Sequence, residues 1–180
     1  MRHQKIWMII GNKSEGKSEL AESIVRCLLY QGKTIQGIIE KGFWKGNQRS
    51  HFVLHDISTT TEMTLCKTEK EPHWLSLGSY YFNPEAIQYG NRLFDNTLIT
   101  NPDLVVVDEV GKLELEGNLW DLSIQKLLME GNFHQLWTVR RDFVRDAISY
   151  YNLKHVGILE VGKTSLQEAC REILSEPRII

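Results

Sequence analysis

Two short stretches of this chain carry residue types that can do phosphate chemistry. The first is Gly11-Asn12-Lys13-Ser14-Glu15-Gly16-Lys17-Ser18, which fits G-x-x-x-x-G-K-[ST]. An apolar run, Ile6-Trp7-Met8-Ile9-Ile10, leads into it, and a helical pattern follows at once. A phosphate-binding loop (P-loop) needs that strand–loop–helix setting. Glycine permits positive φ and lets a phosphate approach the backbone. The loop N–H groups and the first helical turn then face the anion. The spacing assigns nucleotide contacts to Gly11, Asn12, Lys13, Ser14, Glu15, Gly16, Lys17, Ser18 and Glu19. Lys17 is placed to reach the β- and γ-phosphates, and the Ser18 hydroxyl to hold Mg²⁺.

The second stretch is Leu104-Val105-Val106-Val107-Asp108-Glu109. A continuous apolar run reads as a strand buried on both faces. Acids at its carboxyl end fall where ligands sit in open α/β sheets, the Walker B arrangement. Asp108 is expected to join Ser18 in the Mg²⁺ shell, and Glu109 to polarise an attacking water. Arg140 and Arg141 close a later strand, Gln135 to Val139. Either can serve as a phosphate contact or transition-state cation, or else cap carboxylates near Asp142 and Asp146; both readings stay open. The catalytic set is therefore Lys17, Asp108, Glu109 and Arg140. Lys112 and Glu114 follow the acids, either supporting the site or pairing with each other on the surface.

Other signals weigh less. Gly157-Ile158-Leu159-Glu160-Val161-Gly162-Lys163-Thr164 also fits the loop pattern. Its variable positions are strand residues, and no acidic strand follows, so it reads as a strand and a helix start. The histidines show no metal-ligand spacing with cysteines, although His51 and His55 share one strand face. Trp44 and Trp74 fall in expected loops, free to stack on a base or to pack.

The elements that position these residues alternate. Helices are expected at Lys17–Gln31, Asn83–Leu98, Asn118–Glu130, Asp142–Tyr150 and Ser165–Leu174, with strands between them. Phe43 to Ser50 reads as turn-rich between strand-like runs, giving a small antiparallel extension over about 38–68. Glu69 to Ser79 reads as loop. The expected fold is α/β: one domain over residues 1–180, a mainly parallel sheet with helices on both faces, plus that extension.

Composition narrows the class. The net charge of −2 gives no basic excess and no reason to expect a nucleic-acid partner. Three cysteines without close spacing read as reduced, structural thiols of a cytoplasmic protein. No apolar stretch is long enough for a bilayer, and the N-terminus lacks a secretory pattern.

The stretch Asp108-Glu109-Val110-Gly111-Lys112-Leu113-Glu114-Leu115 resembles the signature of the THEP-type P-loop nucleoside-triphosphatases. The N-terminal loop, Gly37-Ile38-Ile39-Glu40 and the order of elements are similar too. The resemblance implies a RecA-like sheet and slow, Mg²⁺-dependent hydrolysis of ATP, GTP and other nucleoside triphosphates to diphosphate and phosphate. The loop departs from the family's Gly-x-Pro-Gly-x-Gly-Lys-Thr at Asn12 to Glu15. Glu15 sets a carboxylate near a phosphate site, where it is expected to repel the ligand unless Lys13 or Mg²⁺ offsets it. Two other readings remain. One is a small-molecule or nucleotide kinase whose acceptor pocket is built from the β extension and the loop Glu69 to Ser79. The other is a nucleotide-gated adaptor without turnover.

Overall fold

The computed structural model describes residues 4–174. In chain order the elements are β1 (Ile6–Gly11), α1 (Lys17–Tyr30), β2 (Ile35–Lys45), β3 (Gln48–Asp56), β4 (Glu62–Lys67), β5 (Leu75–Leu77), β6 (Tyr80–Phe82) and α2 (Pro84–Thr100). They continue with β7 (Leu104–Val110), α3 (Lys112–Leu115), α4 (Asp121–Glu130), β8 (His134–Arg140), α5 (Val144–Tyr150), β9 (Val156–Glu160) and α6 (Leu166–Leu174). The strands form one sheet in the order β5-β6-β4-β3-β2-β7-β8-β1-β9. Neighbours from β2 to β9 are parallel. From β2 outward to β5 they are antiparallel.

The apolar runs are continuous because the parallel strands are covered on both faces. Ile6, Met8 and Ile10 of β1 enter one core, with residues of α2, α4 and α5. Trp7 and Ile9 enter the other, with α1 and α6. Local chemistry sets the helix ends. The Asn83 side chain accepts the Glu85 N–H at 3.0 Å, and Pro84 opens α2. Asn101 closes it at φ 48°.

Gly37 fixes the join between β2 and β7. It pairs with Val106 at φ 119°, and a Cβ there would stand 2.1 Å from the Val106 carbonyl oxygen. Gly37→Ala combines a strained backbone with a clash against a backbone that cannot yield. It is expected to cost about 3 kcal/mol or more. Thermal unfolding should show a fall of about 6–12 °C in Tm; a melting point within about 2 °C of wild type would contradict the close approach.

The antiparallel part is larger than its sequence suggests. The stretch Phe43–Ser50 is strand except for the Gly46-Asn47 turn, with Gly46 at φ 61°. Side chains explain why the strands persist. The rings of Phe43 and His51 stack at 4.6 Å, and the Arg49 guanidinium lies 4.4 Å from the Trp44 ring centre. Within the expected loop Glu69–Ser79 lies β5, hairpinned to β6 across Gly78-Ser79. Strands of three residues are too short for periodicity to register. The expected helix Asn118–Glu130 begins only at Asp121, and the short turn α3 precedes it.

Candidate active site

The parallel strands deliver their carboxyl ends to one edge. Gly11 ends β1, Asp108 and Glu109 lie near the end of β7, and Arg140 ends β8. Asn12 to Gly16 form the loop between β1 and α1. Ser14 at φ 61° and Gly16 at φ 93° are left-handed, which turns successive N–H groups to one side. Among the described residues no side chain caps α1, so its first N–H groups remain for an anion. Lys17 is 4% exposed, and its ammonium donates to the Asn12 carbonyl at 2.8 Å. That bond folds the charge over the loop. Lys13, Ser14 and Glu19 are exposed around it.

Glu15 takes an unexpected direction. Its carboxylate accepts the Asn12 backbone N–H at 2.6 Å and the Asn12 side-chain amide at 2.5 Å. These two bonds hold the carboxyl below its usual range. The charge that was expected to repel phosphate is thus tied back to the start of the loop. Glu15→Ala should free Asn12 and loosen the loop. Steady-state kinetics are expected to show KM for nucleotide rising about three- to tenfold while kcat moves less. A KM that falls instead would restore the repulsive role.

Asp108 is fully buried. Its Oδ1 accepts the Ser18 hydroxyl at 3.1 Å, the Thr138 hydroxyl, and the Glu109 N–H at 3.1 Å. Its Oδ2 accepts the Glu40 N–H at 2.9 Å. Burial, with the Glu109 charge beside it, pushes its pKa up to about 6. The strand order explains Thr138. β8 separates β7 from β1, so its residue at that level stands between the two halves of the site.

Glu109 sits on a bulge. Val107 pairs with Trp137 and Val110 with Val139, so β7 spends one residue more than β8 over this step. Glu109 absorbs it at φ 59°, a conformation costly for a non-glycine residue. The Thr138 hydroxyl accepts its N–H at 2.8 Å. The bulge turns the Glu109 side chain toward a cavity that Arg140 and Glu40 also line.

The later groups fall into place differently. Arg141 pairs with Glu160 at 2.7 Å, on the β9 side. Arg140 lies over the Phe143 ring at 5.6 Å and reaches the cavity. Lys112 pairs with Glu116, not Glu114. Glu114 is buried and accepts the Gly111 N–H at 2.9 Å, fixing the turn after Glu109. Burial pushes its pKa from 4.5 up to about 8. Its folded form therefore holds a proton that the unfolded chain releases. Stability from this group is full below pH 4.5 and is lost as pH rises through about 8. Glu114→Gln should flatten the fall in denaturation midpoint across that window; an unchanged pH profile would contradict the burial effect.

Sequence reasoning missed Thr138 and the role of the Glu40 backbone. The available signals were a polar residue inside Leu136-Trp137-Thr138-Val139 and an acid ending Ile38-Ile39-Glu40. Trp44 is a strand residue whose ring is covered by Arg49. His55 meets Glu62 at 3.1 Å, and His51 stacks on Phe43. Among the described residues no group of three or more His, Cys, Asp or Glu is arranged to hold a metal ion. Ser18 and Asp108 instead offer two adjacent hard oxygens. That set suits Mg²⁺, which completes its shell with waters and phosphate oxygens.

A left-handed glycine loop on a helix start, a lysine folded over it and a serine–aspartate contact beneath define a P-loop protein on a mixed, centrally parallel sheet. The chain belongs to the NTPase family, whose model matches residues 7–174; it is a nucleoside-triphosphatase by that membership. It is 25% identical over 122 residues to the nucleoside-triphosphatase THEP1 of Thermococcus kodakarensis, covering 67% of this chain and 68% of that one. Its fold is similar to THEP1 of Aquifex aeolicus, with a TM-score of 0.72, 16% identity and coverage of 94% and 99% of the two chains. It is also similar to a human cancer-related nucleoside triphosphatase, with a TM-score of 0.66, 18% identity and 95% coverage of each. Among the described residues no helix is long and apolar enough to cross a membrane.

Proposed function

We propose that residues 1–180 act as one Mg²⁺-dependent hydrolase domain that converts ATP, GTP and other nucleoside triphosphates to diphosphate and phosphate. One observation carries this reading: the Ser18 hydroxyl meets Asp108 Oδ1 at 3.1 Å directly beside the bulged Glu109. Residues 90 positions apart thereby join the phosphate loop to an acid pair.

Each group then has a task. The loop N–H groups and the start of α1 bind the phosphates. Lys17 offsets charge that grows on the β–γ bridge and the γ-phosphate. Ser18 and Asp108 would hold Mg²⁺, which neutralises phosphate charge when bound. Thr138 and the Glu40 N–H keep the Asp108 carboxylate in place. Glu109 orients the attacking water and accepts its proton as the water oxygen bonds to the γ-phosphorus. The bond to the bridging oxygen breaks, and the diphosphate leaves. Arg140, at the same cavity, adds a cation on the γ side. The three free cysteines support the reading of a cytoplasmic, reducing setting.

The test is phosphate release from ATP and GTP after stripping with EDTA, followed by Mg²⁺ addition. Release that vanishes with EDTA and returns with Mg²⁺ is expected. An equal rate in both conditions would overturn the metal dependence.

A further inference from the structure

Activating a water needs room for one water, yet the space beside Glu109 is larger. The cavity there measures about 130 Å³, whereas a water in the liquid occupies about 30 Å³. It lies between the antiparallel strands and α3. Phe52, Tyr80 and Phe82 form one wall, edge to face, with ring centres 5.6 and 6.5 Å apart. Glu40, Glu109 and Glu114 line the cavity as well, together with Arg140 and Lys112. Glu40 is 9% exposed, and its Oε1 accepts the Trp120 indole N–H at 2.9 Å. Its second oxygen meets no hydrogen-bond donor among the described residues, and Glu40 lines this space.

The chemistry of the walls selects an occupant. Aromatic edges suit a ring with an apolar face. The carboxyl groups of Glu40, Glu109 and Glu114 with the Arg140 guanidinium offer both acceptors and donors to a ligand that carries several hydroxyls. The volume is that of one small ring. A hydroxyl-rich ring of pentose size meets all three conditions.

We propose that this cavity seats the sugar ring of a pentose or a nucleoside as phosphoryl acceptor, so that the site transfers the γ-phosphate to a hydroxyl as well as to water. The proposal rests on the nucleotide site described above. In the step, the acceptor oxygen bonds to the γ-phosphorus, and the bond from phosphorus to the bridging oxygen breaks. The nucleoside diphosphate leaves, and the hydroxyl proton passes to the Glu109 carboxylate. Glu40 and Glu114 hold the neighbouring hydroxyls, and Tyr80 supports the face of the ring.

The experiment incubates the wild-type protein with ATP and Mg²⁺ alone, with D-ribose, or with each of adenosine, guanosine, cytidine and uridine at millimolar concentration. Phosphorus NMR reads phosphate ester against inorganic phosphate. Saturation-transfer NMR without ATP reads seating of the sugar ring independently of turnover. Ester in the ribose arm assigns a free pentose; ester only in a nucleoside arm assigns a nucleoside. Tyr80→Ala, a half-exposed position, is expected to lower the ester-to-phosphate ratio by about tenfold or more. Inorganic phosphate as the sole product in every arm would overturn the transfer, whether or not a ring signal appears. An ester ratio unchanged in Tyr80→Ala would remove the cavity from it. Ester with an acceptor but no phosphate without one would count against the hydrolase reading and in favour of this pocket.

Discussion

Lys17→Ala is expected to abolish measurable turnover and nearly all nucleotide binding. Lys17 is the one loop side chain that is both charged and buried, and the Asn12 carbonyl aims its ammonium over the loop at 2.8 Å. A phosphate chain placed there gains a short-range charge pair in a water-poor site, where such contacts are strongest. Losing one donor of this kind costs about 10²–10³ in rate for acyl-transfer sites, and a phosphate chain carries more charge. The expected loss in kcat/KM is therefore about a thousandfold or more. The neighbouring N–H groups remain in the variant, so its helix content and melting should stay near wild type. Calorimetric titration with ATP checks the binding, and circular dichroism checks the fold. Binding that survives within about threefold would displace Lys17 from the phosphate site.

Glu109→Gln should separate binding from chemistry. Glutamine keeps the size of the side chain but loses the charge and the capacity to take a proton. The backbone around it is held by the Thr138 hydroxyl at 2.8 Å and Asp108 Oδ1 at 3.1 Å, neither of which the substitution touches. The bulge therefore persists, and the amide occupies the same direction. General-base catalysis contributes about 10²–10⁴, so kcat should fall by about that factor. Affinity for ATP should hold, since the carboxylate near the γ-phosphate repels rather than binds it. Turnover within about threefold of wild type would take Glu109 out of the mechanism.

Local chemistry made half of the site legible. The phosphate loop follows from glycine spacing between an apolar run and a helix, and both are properties of neighbouring residues. Asp108 follows from its place at the end of a doubly buried strand. The rest depends on pairing across the chain. That β8 lies between β1 and β7 is a matter of strand order, so the Thr138 hydroxyl that joins Ser18 on Asp108 Oδ1 carries no local mark beyond one hydroxyl among apolar residues. The bulge at Glu109 is a count of residues against a partner strand, visible only once Val107 and Val110 are registered on β8. Glu15 shows the same limit in a smaller space. Its charge was plain in the sequence, but its direction depends on the Ser14 and Gly16 dihedrals and on the Asn12 N–H. Glu114 was legible as an acid near the site, while its burial comes from the packing of its own helix, α3, against α4 and α5. The strands β5 and β6 pair only with each other and β4, and their three residues each leave no period to read.

The central claim is that water attacks the γ-phosphorus at this site. Hydrolysis of ATP by the wild-type protein in ¹⁸O-labelled water, with Mg²⁺ and no acceptor, tests it most directly. The account predicts one labelled oxygen in the released phosphate and none in the ADP. Label in the ADP, or ATP bound at the loop with no labelled phosphate released, would contradict it.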